Sequence, residues 1–351
     1  MMPVILSSHP QPMRALRPLV CLALSAWLSS TAVAVQAQTT DPAAAKPPSA
    51  ASAVFQILAS ELALQQGQAG VAVATYVALA ERTKDPGVAE RATRVALLSR
   101  QARQALRSGA VWLEVSPEST DAQDIVDLLR LQLGFYTDLQ NNLLARKAQA
   151  QKSGTLDAFI ERLAGLASQG KDTAKSLAVL EGVAEADRDR PSILYARAML
   201  YERLQDHKTM ESLLRTLIER QPDHAHAKNA LGYSLADRGT RLEEAEVLIE
   251  EAHRLLPEDA HILDSMGWLY FRKGALDKAV QWLSDAHRRQ PDAEISAHLG
   301  EVLWALARRE EATAVFRLGL SHDPGNAILK GTLQRLGITL ESLSESARVR
   351  Q

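Results

Sequence analysis

The sequence predicts an all-α chain of tandem helix-turn-helix repeats stacked into a right-handed superhelical solenoid. Three observations lead there. Small residues and proline recur together: Gly232, Gly267 and Gly300 lie 35 and 33 residues apart, Ala245, Ala279 and Ala312 lie 34 and 33 apart, and Pro257, Pro291 and Pro324 follow the same 34 and 33. That is the interval of a two-helix structural repeat. Ala, Leu, Glu, Arg and Gln dominate while β-branched runs are scarce, which favours helix nearly everywhere. With 46% hydrophobic and 23% charged residues over 351 positions, the chain also has enough apolar surface to build a core.

The N-terminal segment, residues 1–37, reads as a secretory signal. Arg14 and Arg17 precede the apolar run Leu19 to Leu28, and the small residues of "AVAVQAQ" offer cleavage after Ala34 or Ala37, with Met13 an alternative start. Ten strongly apolar residues fall short of the ~20 that a spanning helix needs. Cys21, the sole cysteine, opens the apolar run behind Pro18, Leu19 and Val20, whereas a lipid-acceptor cysteine closes it; it is expected to leave with the signal. The mature chain then has no disulfide and no thiolate. Loss of Arg14 and Arg17 takes the formal net charge from −2 to −4. Residues 38–52, with "TTDPAAAKPPSAAS", lack periodicity and read as a flexible linker.

The repeats follow. The best unit reads Leu263-x2-Met266-Gly267-x2-Tyr270, then Ala279-x3-Leu283, then Pro291, and resembles the tetratricopeptide repeat, W-x2-L-G-x2-Y, A-x3-F, P. The glycine and the alanine let paired helices approach closely, and Leu231, Tyr270, Leu283 and Phe316 fill the remaining space. The proline, without an N–H, ends the second helix. Residues 191–324 carry well-formed units, with Met210 in the small-residue slot of the first and Pro222 at its end. Residues 53–190 carry divergent ones, marked by Gly67, Ala72, Tyr76 and Pro86, and by Ala105 with Pro117. About eight helical pairs are expected between 53 and 324, and residues 325–351 form a terminal segment that caps the last hydrophobic face.

Several stretches invite a chemical reading. Gly165 to Asp172, "GLASQGKD", is one residue away from the phosphate-binding pattern G-x-x-x-x-G-K-[ST]. It follows a helical pattern of Phe159, Ile160, Leu163, Leu166 and Ala167 where a strand is required, and Asp172 replaces the Mg²⁺-binding hydroxyl. Gly170 falls where Gly274 lies in the best unit, so the stretch reads as an interhelical turn. Ser168 with Lys171 looks like a nucleophile pair but lacks companion motifs. His224 and His226 lack a third ligand and read as surface. Asp264-Ser265-Met266-Gly267 lies on a repeat helix without the first glycine of a nucleophile elbow. No catalytic residue, cofactor or metal is expected, and no small-molecule substrate. The net charge offers no basic surplus for nucleic acid.

Binding remains. In a superhelix of this kind the first helix of each pair lines the concave surface. Counting from the contact glycines puts Tyr195, Met199, Glu202 and Arg203, then Asn229, Tyr233 and Asp237, then Asp264, Trp268, Phe271 and Arg272, then His298, Glu301 and Trp304 in a groove that takes a protein or peptide. Trp268 and Trp304 are expected to stand open in it, because Met266, Tyr270, Leu299 and Leu303 already occupy the packing slots. Aromatics and arginine are the residues that carry interface energy.

Residues 229–312, "NALGYSLADR", "ILDSMGWLYFRKGALDKAV" and "AHLGEVLWALARREEA", resemble the C-terminal repeats of tetratricopeptide proteins of proteobacterial envelopes, often outer-membrane lipoproteins. One such protein is the adaptor of a periplasmic carboxyl-terminal processing protease that degrades peptidoglycan hydrolases. The resemblance implies a periplasmic scaffold and adaptor for a protease or for cell-wall enzymes, in peripheral association with envelope complexes. A secretion, pilus or polysaccharide-export assembly factor is the alternative. The chain departs from the family in being shorter and in lacking a lipidation cysteine at the expected place.

Overall fold

The computed structural model describes residues 48–340 and Leu343. The signal segment, most of the linker and the last residues of the cap fall outside that range. Seventeen α-helices and no strand occur among the described residues. The first eight are α1 (Ala50–Gln65), α2 (Ala69–Thr83), α3 (Pro86–Leu98), α4 (Ala102–Val115), α5 (Thr120–Leu133), α6 (Tyr136–Ser153), α7 (Leu156–Ser168) and α8 (Thr173–Val183). A 3₁₀ turn at Glu185–Asp187 leads to α9 (Pro191–Arg203), α10 (His207–Arg220), α11 (Ala225–Asp237) and α12 (Leu242–Leu255). Then come α13 (Ala260–Arg272), α14 (Leu276–Arg289), α15 (Ala293–Ala305), α16 (Arg309–His322) and α17 (Ala327–Arg335). Odd-numbered helices up to α15 are first helices of hairpins, their even-numbered successors second helices.

Proline sets the repeat ends. α4, α10, α12, α14 and α16 each stop two residues before Pro117, Pro222, Pro257, Pro291 and Pro324. The residue before a proline is steered out of helical conformation, so each second helix terminates there. The first helices are started by side-chain caps. Asp259 accepts from the backbone N–H of His261 and Ile262, and Asp292 from that of Ile295, satisfying donors that the helix leaves unpaired.

Hairpin packing explains the glycines. A Cβ on Gly267 would lie 2.5 Å from Leu283 Cγ, 3.0 Å from the Leu283 backbone nitrogen and 3.1 Å from the Ala279 carbonyl oxygen. At Gly232 it would meet Ile249 at 2.6 Å, and at Gly300 the Phe316 ring at 2.2 Å. Ala245, Ala279, Ala312, Ile249, Leu283 and Phe316 are all fully buried at these crossings.

The divergent half keeps the hairpins and changes their glue. Within α5 to α8 two charged residues are buried, Asp127 and Lys147. Lys147 Nζ donates to the Val183 carbonyl at 2.8 Å and pairs with Asp187 at 2.6 Å, while Asp127 pairs with Arg146. Apolar residues from Leu131 to Leu200 form the core around them.

The stretch "GLASQGKD" lies between α7 and α8, with a helix before it. Asp172 caps α8, accepting the Lys175 N–H at 3.0 Å. Gly170 and Gly274 share a place in the hairpin for different reasons: Gly274 has φ +78°, whereas at Gly170 a Cβ would fall 1.8 Å from Ser176 Oγ. Ser168 Oγ donates to the Gly165 carbonyl at 2.7 Å, closing the end of α7.

Candidate functional site: a concave cavity

Five helices, α9, α11, α13, α15 and α17, wall one cavity of about 670 Å³, and none of the second helices contributes. Met199, Glu202 and Arg203 come from α9, Tyr233 and Asp237 from α11, Trp268 from α13, and His298 from α15. These are groove residues counted from the sequence, and the structure gathers them because the repeat places equivalent turns of successive first helices side by side. A neighbouring cavity of about 680 Å³ takes Tyr195 together with Met199, His224 and His226.

The expectation that Trp268 stands open in the groove is corrected. Its residue exposure is 5%, because His298 from the following hairpin lies over it with ring centroids 4.3 Å apart, and Phe271 packs at 5.0 Å. The indole Nε1 donates to Asp237 Oδ1 at 3.0 Å. The ring therefore fills the seam between two hairpins and shows only an edge to the cavity. Trp304 is half-buried, outside the cavity, with the Arg309 guanidinium 3.9 Å over its ring.

Other groove residues are spoken for within the chain. Asp264 and His298 form a buried pair, His298 Nδ1 lying 2.8 Å from Asp264 Oδ2. Arg272 pairs with Asp237 at 3.6 Å and donates to its backbone carbonyl, so the two do not stand free for a partner's polar groups. Arg203 donates to the carbonyls of Ser168 at 2.9 Å and Gly170 at 2.7 Å, tying α9 to the α7–α8 turn. Glu301 pairs with Arg335 of α17 at 2.6 Å. Asn229 is half-buried with Oδ1 unpartnered, and Tyr195 stacks on His224 at 5.5 Å. His224 caps α11, its Nδ1 accepting the Ala227 N–H at 3.1 Å. Among the described residues no three His, Cys, Asp or Glu side chains converge as a metal site.

Counting from the sequence missed Glu294 and the whole of α17. Glu294 sits one turn before His298 on the same face of α15, so the helical period that selected His298 reaches it. Adding 33 to 294 and 298 gives Ala327 and Gly331, both of which line the cavity. The sequence marks residues 325–351 as a cap; the α17 portion also walls the site.

The electrostatics follow from burial. Burial works against charge on His298, yet the Asp264 carboxylate outweighs it and holds the imidazole pKa above its ordinary value, with Glu294 and Asp237 adding to the effect. Burial pushes the Glu294 carboxyl up; the nearby His298 charge pulls it back in part, while Asp264 and Asp292 push it further up. Burial likewise drives the Tyr233 phenol well above its usual range, its hydroxyl 3.4 Å from His298 Nε2. The site is thus a linked set of Asp237, Trp268, His298, Asp264 and Tyr233, with one carboxyl, that of Glu294, standing beside it.

Stacked helical hairpins with a cavity walled by their first helices define a repeat scaffold of the α-solenoid class. The particular repeat matched is the tetratricopeptide repeat, whose family model fits residues 191–224. It is 42% identical over 168 residues to the TPR repeat-containing protein PA4667 of Pseudomonas aeruginosa, a match over 43% of this chain and 28% of that protein. It is 30% identical over 137 residues to the human antiviral innate immune response effector IFIT1, over 37% of this chain and 28% of that one. The matches thus span 28% of the length of both curated relatives. Among solved structures, a tetratricopeptide repeat protein from Parabacteroides merdae superposes with a TM-score of 0.47 at 16% identity, covering 81% of this chain and 98% of that one. A human IFIT1 dimer with m7Gppp-AAAA gives 0.47 at 19%, over 74% and 66%.

Proposed function

We propose that this protein is an exported adaptor: a scaffold, held in the periplasm, whose concave face carries a segment of a protease or a cell-wall enzyme. Protein–protein interaction is the coarse function of the repeat scaffold. The observation that carries the finer reading is the cavity between α9 and α17, large enough at about 670 Å³ to seat side chains of an extended or helical segment. Export is supported by the order of basic residues, apolar run and small residues in positions 1–37, and the envelope setting by the resemblance of residues 229–312. Assembly duties in a secretion machine have no separate observation in their favour.

The test is site-specific photocrosslinking of the full chain in proteobacterial cells. A photoreactive residue at Met199, in the cavity, is expected to capture an envelope protease or hydrolase, with the mature N-terminus at Val35 or Gln38. The same residue at Val247, exposed on second helix α12, is expected to capture neither. Equal capture from both positions, or recovery of the chain with an intact signal in the cytosol, would overturn the proposal.

A further inference from the structure

The cations around the cavity are each engaged by acceptors of this chain: Arg203 by the Ser168 and Gly170 carbonyls, Arg335 by Glu301, Arg272 by Asp237 and His298 by Asp264. Glu294 differs. It lines the cavity, it is largely shielded from water, and it makes no hydrogen bond or ion pair with another described residue. The other two carboxylates on the wall are engaged within the chain, Asp237 by Arg272 and Trp268 and Glu202 by His207 and Ser234.

Any occupant strips the remaining water from Glu294. An apolar side chain would leave the covered carboxyl with only the distant charge of His298, and an acidic one would add repulsion to that of Asp264; both are costly once the occupant has displaced the water. A primary ammonium or guanidinium supplies charge and donor together. The walls suit the rest of such a side chain, since Met199 and Ile328, the latter 40% exposed, offer apolar surface for methylene groups.

We propose that the cavity accepts a lysine or arginine side chain of the bound segment, with Glu294 as its counter-ion. This rests on the concave face being the binding surface, and it adds what that face selects. Glu294 is then a specificity residue: it decides which segments bind, while the apolar wall and the length of the groove decide that segments bind at all.

A random dodecapeptide display library panned on the full chain tests it. The wild type is expected to enrich peptides with lysine or arginine at one aligned position. Replacing that residue by norleucine, which keeps the stem and removes the charge, should weaken binding to the wild type by about tenfold or more, the scale of a charge-assisted hydrogen bond. The same replacement should change binding to Glu294→Gln by under about twofold. Gly331→Trp, at a position where an added side chain meets little but the cavity, is expected to abolish capture by blocking it. Enriched peptides without a basic preference, or a preference undiminished in Glu294→Gln, overturn the proposal while blocking by Gly331→Trp keeps the concave reading. Peptides that bind Gly331→Trp as well as the wild type, or no enrichment at all, overturn both.

Discussion

Gly267→Ala isolates the contact on which the repeat depends. In a helix interior alanine is worth about 1 kcal/mol over glycine, so propensity alone predicts stabilisation. Packing opposes it. The added methyl would sit 2.5 Å from Leu283 Cγ, 3.0 Å from Leu283 N and 3.1 Å from Ala279 O. Two of these three neighbours are backbone atoms of α14, which no rotamer change can move, so α13 and α14 must part. Overpacking costs typically 1–3 kcal/mol, and the backbone contacts put this case at the upper end, leaving a net loss of about 2 kcal/mol. Gly165→Ala is the control: it lies inside α7 with nothing within 4 Å of an added Cβ, and should gain up to about 1 kcal/mol. Urea denaturation followed by circular dichroism reads the difference, about 3 kcal/mol between the two variants on these values. Because a solenoid loses structure repeat by repeat, hydrogen exchange should place the weakening in α13 and α14. A Gly267→Ala protein as stable as the wild type would mean that the helices do not meet at this glycine.

Trp268→Ala is expected to destabilise the protein by roughly 3–5 kcal/mol, the cost of emptying a buried aromatic site, while Trp304→Ala should cost under about 2 kcal/mol. Thermal unfolding of the two variants checks this, and equal losses would contradict the packing of His298 over Trp268. The His298 imidazole should titrate above its ordinary 6.5, as read by proton NMR, and Asp264→Asn should lower that midpoint; a wild-type midpoint at or below 6.5 would refute the pairing. Because its folded pKa is raised, the pair's contribution to stability is complete below pH 6.5 and is lost as pH rises through the His298 midpoint.

The repeat boundaries were legible because they are encoded by single residues with one mechanical effect. Pro257 or Pro291 stops a helix wherever it occurs, and Gly267 is needed by a contact that leaves no room for a Cβ. The groove was legible as a direction and not as a surface. Helical period shows that Trp268 and His298 point the same way as Met199 and Tyr233, and they do line one cavity. It does not show that His298, thirty residues on, lies over Trp268, because that depends on the angle between hairpins. Glu294 was missed for want of one more turn of the same period. In the divergent half, the partners Lys147 and Asp187 lie 40 residues apart and the carbonyl that Lys147 reaches is backbone, so no pattern of side chains announces them.

The near-match to a phosphate loop shows how the same local chemistry serves a different end. A helix N-terminus preceded by glycine attracts an anion through its free N–H groups. At α8 that demand is met internally, by the Asp172 carboxylate on the Lys175 N–H, which leaves a negative charge where a phosphate would have to sit. The turn's remaining polar groups face the other way: the carbonyls of Ser168 and Gly170 accept both terminal nitrogens of Arg203. Arg203 belongs to α9, the first helix of the well-formed repeats, and also lines the concave cavity. The stretch that resembles a nucleotide site is therefore an anchor, through which the divergent hairpins hold the edge of the concave cavity in place.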